Sequence, residues 1–542
     1  MRSLDGQILK QMLLSAANNL YNHYPEIDAL NVFPVPDGDT GMNMNLTLTS
    51  GAKEILNRND DDAYSIANLF SRGLLMGARG NSGVITSQIF RGFASSLKDK
   101  KIIKVTDFAD AFANGSTVAY KAVMRPVEGT ILTVIREASE ALSDYVSKEV
   151  SIEKAMKYFV EQARESLKRT PELLPVLKEV GVVDSGGAGL VTIFEGMESA
   201  LNGKFIEKNV VTSVEKKTSV ATLSDTNGYC VEFVLKLGPA DEKKVFIQNR
   251  FSSVLDSHGK SIRIISNDDT VKVHIHTLTP GSILTYAQSF GEFTSLKIEN
   301  LAEGKHTSLI DSIEEAKNDE PLKESAIVSI SAGKGMDEYF KEIGVDRIVS
   351  GGQTMNPSIE DIISNIRACH AKVVYVLPNN SNIVMAAFQA ADVLADEIDV
   401  KVITTKTIPQ GIVAASAFNP DASVEDNVNE MKNSYANLKS GSVTYAIKDT
   451  VIDGFEVTKD YFMGIFDKKI VVCVKNKVVS LLKLLDQMIN EESFLVTLFI
   501  GSDVSTKEEE KVREELPKKF PNVEFDIRRG DQPVYSFLIG VE

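Results

Sequence analysis

Apolar residues recur every three or four positions at the start of the chain, at Leu4, Ile8, Leu9, Met12, Leu13, Ala16 and Leu20. That spacing places them on one face of a helix. Ala67 to Met76 and Phe108 to Met124 carry similar stripes, so the first third of the chain is expected to be helical. Around Asn202-Gly203-Lys204 the texture changes, and the stretch from Val210 to Leu223, polar and rich in Lys, Thr and Ser, reads as a linker. Beyond Gly228 the pattern alternates, in Tyr229 to Leu235, Ser261 to Ile265 and Thr270 to Thr277, as half-buried strands do. After the charged run Glu314 to Glu324, apolar strands at Ala326 to Ile330, Val373 to Leu377 and Val400 to Thr404 alternate with helical segments such as Ile383 to Ala395. That βαβ rhythm implies a parallel sheet with ligands at the carboxyl ends of its strands. Leu495 to Gly501 and Pro533 to Val541 suggest closing strands of a further α/β lobe. The expected organisation is multidomain: an all-α domain over 1–205, an α+β middle domain over 224–320 and an α/β domain over 325–542.

Composition narrows the setting. A net charge of −16 argues against nucleic acid as a partner. Only three cysteines, Cys230, Cys369 and Cys473, occur in 542 residues, so no disulfide framework is expected. No apolar run approaches the roughly 18 residues of a membrane span, and the N-terminus lacks a basic-then-apolar signal pattern. A cytoplasmic protein without stable membrane insertion is the expectation.

The chemistry concentrates in Asn31-Val32-Phe33-Pro34-Val35-Pro36-Asp37-Gly38-Asp39-Thr40-Gly41-Met42-Asn43-Met44. Two carboxylates sit on alternate residues of a Pro/Gly-stiffened turn that opens a helix. Mg²⁺ prefers oxygen ligands and few protein contacts, which two short Asp side chains supply, and the amides of the following helix start suit anions. By themselves these residues also fit a solvated turn whose Asp side chains cap the next helix. Three more glycine-bearing segments shift the balance: Met76-Gly77-Ala78-Arg79-Gly80-Asn81-Ser82-Gly83, Val127-Glu128-Gly129-Thr130 and Val182-Val183-Asp184-Ser185-Gly186-Gly187-Ala188-Gly189. Each lies between apolar helical patterns, and its glycines let backbone N–H groups approach phosphates.

In this order and at these separations, the four segments resemble the nucleotide-binding subunit of dihydroxyacetone kinases over roughly the first 200 residues. The resemblance implies an all-helical barrel binding ATP or ADP with two Mg²⁺ ions at Asp37 and Asp39. Phosphate contacts are implied at Thr40, Gly41, Asn43, Gly80, Asn81, Ser82 and Gly83, with Gly129, Thr130, Asp184, Ser185 and Gly186 completing the nucleotide set. The family's first metal Asp, five residues before Asp37, falls on Val32, and Asn31 is the nearest polar group. Thr40 replaces the family's His. Arg79 is the residue best placed to offset developing charge, with a structural ion pair as its other reading.

The chain continues for another 340 or so residues, and the whole arrangement resembles the kinase subunit of bacterial fatty acid kinase. The implied reaction is transfer of the γ-phosphoryl group of ATP to a fatty acid carboxylate, giving acyl phosphate. The resemblance also implies a separate fatty-acid-binding protein that presents the lipid to the C-terminal domain, and a homodimer formed through the middle domain. Rival readings are a dihydroxyacetone-type kinase of a small substrate and a non-catalytic scaffold that senses nucleotide.

His274-Ile275-His276 holds two of the six histidines on one strand. Side chains two apart share a face, so both imidazoles reach one ion, and Cys230 on a neighbouring strand adds a thiolate suited to Zn²⁺. The same pattern fits a half-buried polar face. With the fatty acid kinase resemblance, whose middle domain carries this Cys and His pair, zinc in a structural role is expected. Ser331-Ala332-Gly333-Lys334-Gly335 lacks phosphate-loop spacing and reads as a turn. Ser350 to Pro357 and Pro378 to Asn382 follow strands, as remnants of a ligand site, docking loops or ordinary capped turns.

Overall fold

The amphipathic stripes at the start of the chain become nine helices among the described residues of the computed structural model, which are 1–32, 38–209, 229–237, 251, 255, 259–267, 270–277, 280–300, 322–352, 355–452 and 454–542. The expected linker and most of the charged run before Glu324 lie outside them. The chain forms two compact units, Met1–Val210 together with Leu322–Glu542, and Val211–Pro321. The first and last of the three segments expected from sequence therefore belong to one body.

In the first unit, helices α1 (Gly6–Ala29), α2 (Thr40–Leu56), α3 (Ala63–Gly77), α4 (Gly80–Ser96), α5 (Val105–Ala122), α6 (Ile131–Tyr145), α7 (Ile152–Leu173), α8 (Pro175–Val180) and α9 (Ser185–Leu201) follow one another. Successive long helices pack side by side, and α9 returns onto α1 to close the ring. Asp5 caps α1 by accepting from Ile8 N, and Ser151 and Asp62 serve α7 and α3 in the same way. Small residues allow close approach where helices cross, and an aromatic cluster is buried among the helices. Phe112 stands 4.3 Å from Phe159, 5.0 Å from both Phe93 and Phe108 and 5.5 Å from Phe194, ring centre to ring centre. All five rings are essentially inaccessible to solvent.

The C-terminal part of this unit starts with a four-stranded parallel sheet. Its strands lie side by side in the order Asp399–Val402, Ala371–Leu377, Lys323–Ser331 and Arg347–Ser350, as the βαβ rhythm predicts. The rest forms a further lobe with helices and strands. It is a six-stranded mixed sheet in which Leu495–Ile500 runs parallel to Glu524–Arg529 while the other neighbours are antiparallel. One of its antiparallel pairs has a local cause: Asp467 and Lys468 both have positive φ, at 49° and 64°. Positive φ at both central residues of a two-residue turn reverses the chain into a hairpin, here between Phe462–Phe466 and Lys469–Val474.

The two parts of the first unit share apolar core. Ala78 and Val84, flanking the start of α4, join a cluster with Ile359, Ile362 and Ile383, and Ile359 N donates to Ala78 O at 3.2 Å.

The second unit holds a four-stranded antiparallel sheet of Tyr229–Leu237, Gly259–Asn267, Thr270–Thr277 and Gly291–Asn300, with the helix Pro280–Gln288. Val231, Phe233, Val271, Val273 and Ile275 form its core face with Ile283 and Ala287 of the helix. The alternation puts Cys230, Glu232, His274 and His276 on the opposite face.

Because Phe112 touches four other rings in a closed ring of helices, Phe112→Ala should destabilise the first unit by about 3–5 kcal/mol. Denaturant unfolding followed by circular dichroism measures it, and a loss below about 1 kcal/mol would show that the cluster can collapse around the gap.

Candidate nucleotide and metal sites

Every helix begins with N–H groups that lack partners within it. Four such beginnings meet in the helical ring. The first residue of α2 touches the first turn of α4, where Ser82 Oγ donates to Thr40 O at 3.3 Å. The starts of α6 and α9 meet at Asp184, whose carboxylate accepts from Gly187 N at 2.7 Å and from the backbone of Ile131. Between these pairs, α2 and α9 approach so closely that a Cβ on Gly189 would lie 2.6 Å from Met44 Sδ. The four segments singled out in the sequence thus lie at the starts of four neighbouring helices, an arrangement whose helix-start dipoles and amides favour anions.

At the first start, Asp37 lies outside the described residues and Asp39 is the residue before α2. Asp39 does not cap the helix with its side chain. Asp28 does so instead, accepting from Gly41 N at 2.7 Å and Met42 N at 3.2 Å, and burial holds its carboxyl above the usual carboxylate range. Sequence reading missed Asp28 because it lies thirteen residues from Gly41 on a different helix. Gly41 is required at its position, since a Cβ there would sit 2.3 Å from Tyr24 O. The Asn31 carbonyl oxygen accepts from Lys448 Nζ at 2.5 Å.

At the second start, Gly80 adopts φ of +57°, where a side chain is strained, and a Cβ would meet Asn43 Nδ2 at 2.6 Å. Arg79 is turned towards the C-terminal part. Its Nη1 donates to Asn356 O at 2.9 Å and pairs with Asp361 Oδ2 at 3.5 Å. That is the structural ion pair set beside its charge-offsetting role in the sequence reading. Asn81 Nδ2 donates to Asn382 Oδ1 at 3.2 Å, and Asn356 Nδ2 donates to Asp39 Oδ2 at 2.6 Å. The loops that carry Asn356 and Asn382 therefore meet the turns that carry Asp39 and Asn81. A cavity of about 640 Å³ opens between them, lined by Asn31, Asp39 and Thr40 on one side and by residues such as Gly351, Asn380, Asn382, Lys406 and Lys468 on the other.

At the third start, Gly129 has φ of +83° and Thr130 caps α6 by accepting from Leu132 N. Ser185 and Gly186 form the first turn of α9 behind Asp184.

The donors at Asp39 fit a hard cation with phosphate: a carboxylate, with Asn31 and Thr40 on the same cavity wall. The buried amide oxygens Asn356 Oδ1 and Asn81 Oδ1 have no hydrogen-bond partner among the described residues, as polar groups built to meet a ligand would.

A second set of donors lies in the other unit. Ligand atoms of Cys230, His274 and His276 lie within 4.8 Å of one another. Their S, N, N chemistry fits a tetrahedral ion with one position open. His274 Nδ1 lies 2.6 Å from Glu232 Oε1 and 3.7 Å from Cys230 Sγ, and Glu232 is 1% exposed. Such a carboxylate behind a ligating histidine fixes its tautomer. Sequence reading missed Glu232, although its place two residues after Cys230 on the same strand face was there to find. Burial, with the charges of Glu232 and Glu299, pushes the Cys230 thiol up to about 11, so an ion must displace a proton to bind sulfur.

Burial pushes the carboxyl of Asp184 up to about 6, against the two backbone donors that lower it. The unfolded chain therefore loses this proton near its ordinary value, before the folded chain does, and stability falls as pH rises from about 4 through 6. Asp184→Asn keeps an acceptor and removes the buried charge. Its thermal midpoint should match the parent at pH 4 and exceed it at pH 7.5, and equal midpoints at both would show that the helix starts already compensate the charge.

Comparison with known families matches residues 34–199 to the DAK2 domain, 226–308 to the FakA-like middle domain of fatty acid kinases and 326–542 to the FakA-like C-terminal domain. Protein YloV of Bacillus subtilis (strain 168) is 44% identical over 555 residues, covering 100% of both chains. An uncharacterized protein of Staphylococcus epidermidis is 42% identical over 553 residues, covering 99% of each. The solved structure of the Streptococcus pneumoniae fatty acid kinase B3 protein loaded with linoleic acid aligns with 40% of this chain and 99% of its own, at 11% identity and a TM-score of 0.29, too slight a likeness to carry an argument. With three successive family models spread along it and a relative of this identity over its whole length, the chain belongs to the FakA-like family of fatty acid kinase subunits.

Proposed function

We propose that this chain is the ATP-dependent kinase subunit of a fatty acid kinase, transferring the γ-phosphoryl group to a fatty acid carboxylate presented by a separate fatty-acid-binding protein. The observation that carries the reading is the meeting of helix starts in pairs, α2 with α4 beside Asp39 and α6 with α9 at Asp184, in a chain of this family. Their backbone N–H groups would receive the phosphates, with Gly41, Asn43, Gly80, Asn81, Ser82 and Gly83 around one pair of starts and Gly129, Thr130, Ser185 and Gly186 around the other. Asp39, with Asp37 and Asn31, would hold Mg²⁺, which when bound neutralises charge on the transferring phosphoryl group.

A fatty acid carboxylate is ionised at neutral pH, so no side chain has to remove a proton. The bond between the γ-phosphorus and the bridging oxygen breaks as a carboxylate oxygen bonds to phosphorus, and ADP leaves with the released electron pair. The chain's task is to align donor and acceptor and keep water from the acceptor's place. In the second unit we propose Cys230, His274 and His276 as a structural zinc set with Glu232 behind it.

Labelled ATP, Mg²⁺, a lipid-loaded fatty-acid-binding protein and hydroxylamine as trap test the reaction. A hydroxamate that forms only with lipid and binding protein together is expected, and Asp39→Asn should lower turnover by roughly a hundredfold, about 3 kcal/mol. Transfer to dihydroxyacetone instead would make the chain a sugar-type kinase, and no transfer at all would leave a nucleotide-sensing scaffold. For the second unit, elemental analysis should find about one zinc per chain, lost in Cys230→Ser, and zinc uptake at pH 7 should release a proton measurable by pH-stat. Zinc retained by Cys230→Ser would remove the thiolate from the set.

A further inference from the structure

Asn356 lies in the turn between the strand Arg347–Ser350 and the helix Ile359–Ala368, 317 residues beyond Asp39. It is 2% exposed. Its Nδ2–H donates to Asp39 Oδ2 at 2.6 Å, its backbone oxygen accepts from Arg79, and its Oδ1 is buried without a hydrogen-bond partner among the described residues. The turn cannot drift from the site. Arg79 bridges antiparallel to Ser358, Ile359 N binds Ala78 O, and Asp361 holds both Arg79 and the backbone N–H of Ser358. A Cβ on Gly80 would come within 3.3 Å of Asn356 Nδ2, so the carboxamide fills the space beside the left-handed turn.

Asp39 is excused from the usual work of an Asp before a helix, because Asp28 caps α2. Its carboxylate accepts a neutral N–H delivered by the C-terminal part. A neutral donor fixes one carboxylate oxygen, and with it the plane of the group, without bringing a positive charge that would repel a cation. Lys or Arg at this place would compete with the ion; a carboxamide does not.

Resting on the kinase reading above, we propose that Asn356 is a positioning residue for the divalent cation at Asp39, so that metal affinity in the helical ring depends on a residue of the C-terminal part. Arg79 acts here as the strut that fixes the Asn356 backbone.

The test titrates Mn²⁺ into the full chain with ADP, counting free ion by electron paramagnetic resonance. Asn356→Ala and the volume-matched Asn356→Leu should each raise the half-saturating Mn²⁺ concentration about tenfold, the usual effect of losing a partner behind a metal ligand. ADP affinity in EDTA should change less than twofold in both, and so should the KM for lipid-loaded binding protein at saturating metal. Unchanged Mn²⁺ midpoints in both variants overturn the proposal while leaving the kinase reading intact. Equal weakening of metal-free ADP binding also overturns it, since that marks a loosened fold. A parent chain that binds no Mn²⁺ with ADP removes both readings together.

Discussion

Backbone N–H groups at helix starts have to find acceptors, and bringing four starts together multiplies the demand. Two carboxylates answer it from within: Asp28 at α2, and Asp184 for α6 and α9 together. The desolvation that raises both carboxyls is the cost of placing anions there. What those carboxylates leave unmet is a concentration of amides and dipole suited to phosphate. The ring closure of α9 on α1 matters because it keeps those starts in one place.

Much of this architecture is written in local pattern. The three- and four-residue spacing in Leu4 to Leu20 needs only a helix and an apolar partner, and it yields α1. Alternation in Thr270 to Thr277 likewise yields a strand with Val271, Val273 and Ile275 inward and His274 and His276 outward. The glycine-bearing segments lie at helix starts because glycine tolerates close approach and left-handed turns, as Gly41 and Gly80 illustrate.

The parts that pattern did not carry depend on distance along the chain. Nothing around Asp28 marks it as the cap of α2, because the helix it serves begins only at Thr40. The hairpin of Phe462–Phe466 with Lys469–Val474 follows from a two-residue turn with positive φ at Asp467 and Lys468, residues whose identity permits that turn without requiring it. Arg79 is ambiguous in sequence for the same reason: both of its partners, the Asn356 carbonyl and Asp361, come from the C-terminal part. The C-terminal loops, readable as ordinary capped turns, owe their place at the site to apolar side chains around Ile359 that share a core with Ala78 and Val84.

The 317 residues between Asp39 and Asn356 set a schedule. At ordinary rates of synthesis, the interval from the emergence of the first to that of the second is on the order of tens of seconds. Helix formation takes about a microsecond and collapse up to about a hundred microseconds. The helical ring has time to close around its own carboxylates long before the C-terminal residues exist. A nascent chain thus passes through a period in which the turns at the helix starts are assembled but the hydrogen bond from Asn356 to Asp39 has not been made, and completion of the polypeptide is what ends it.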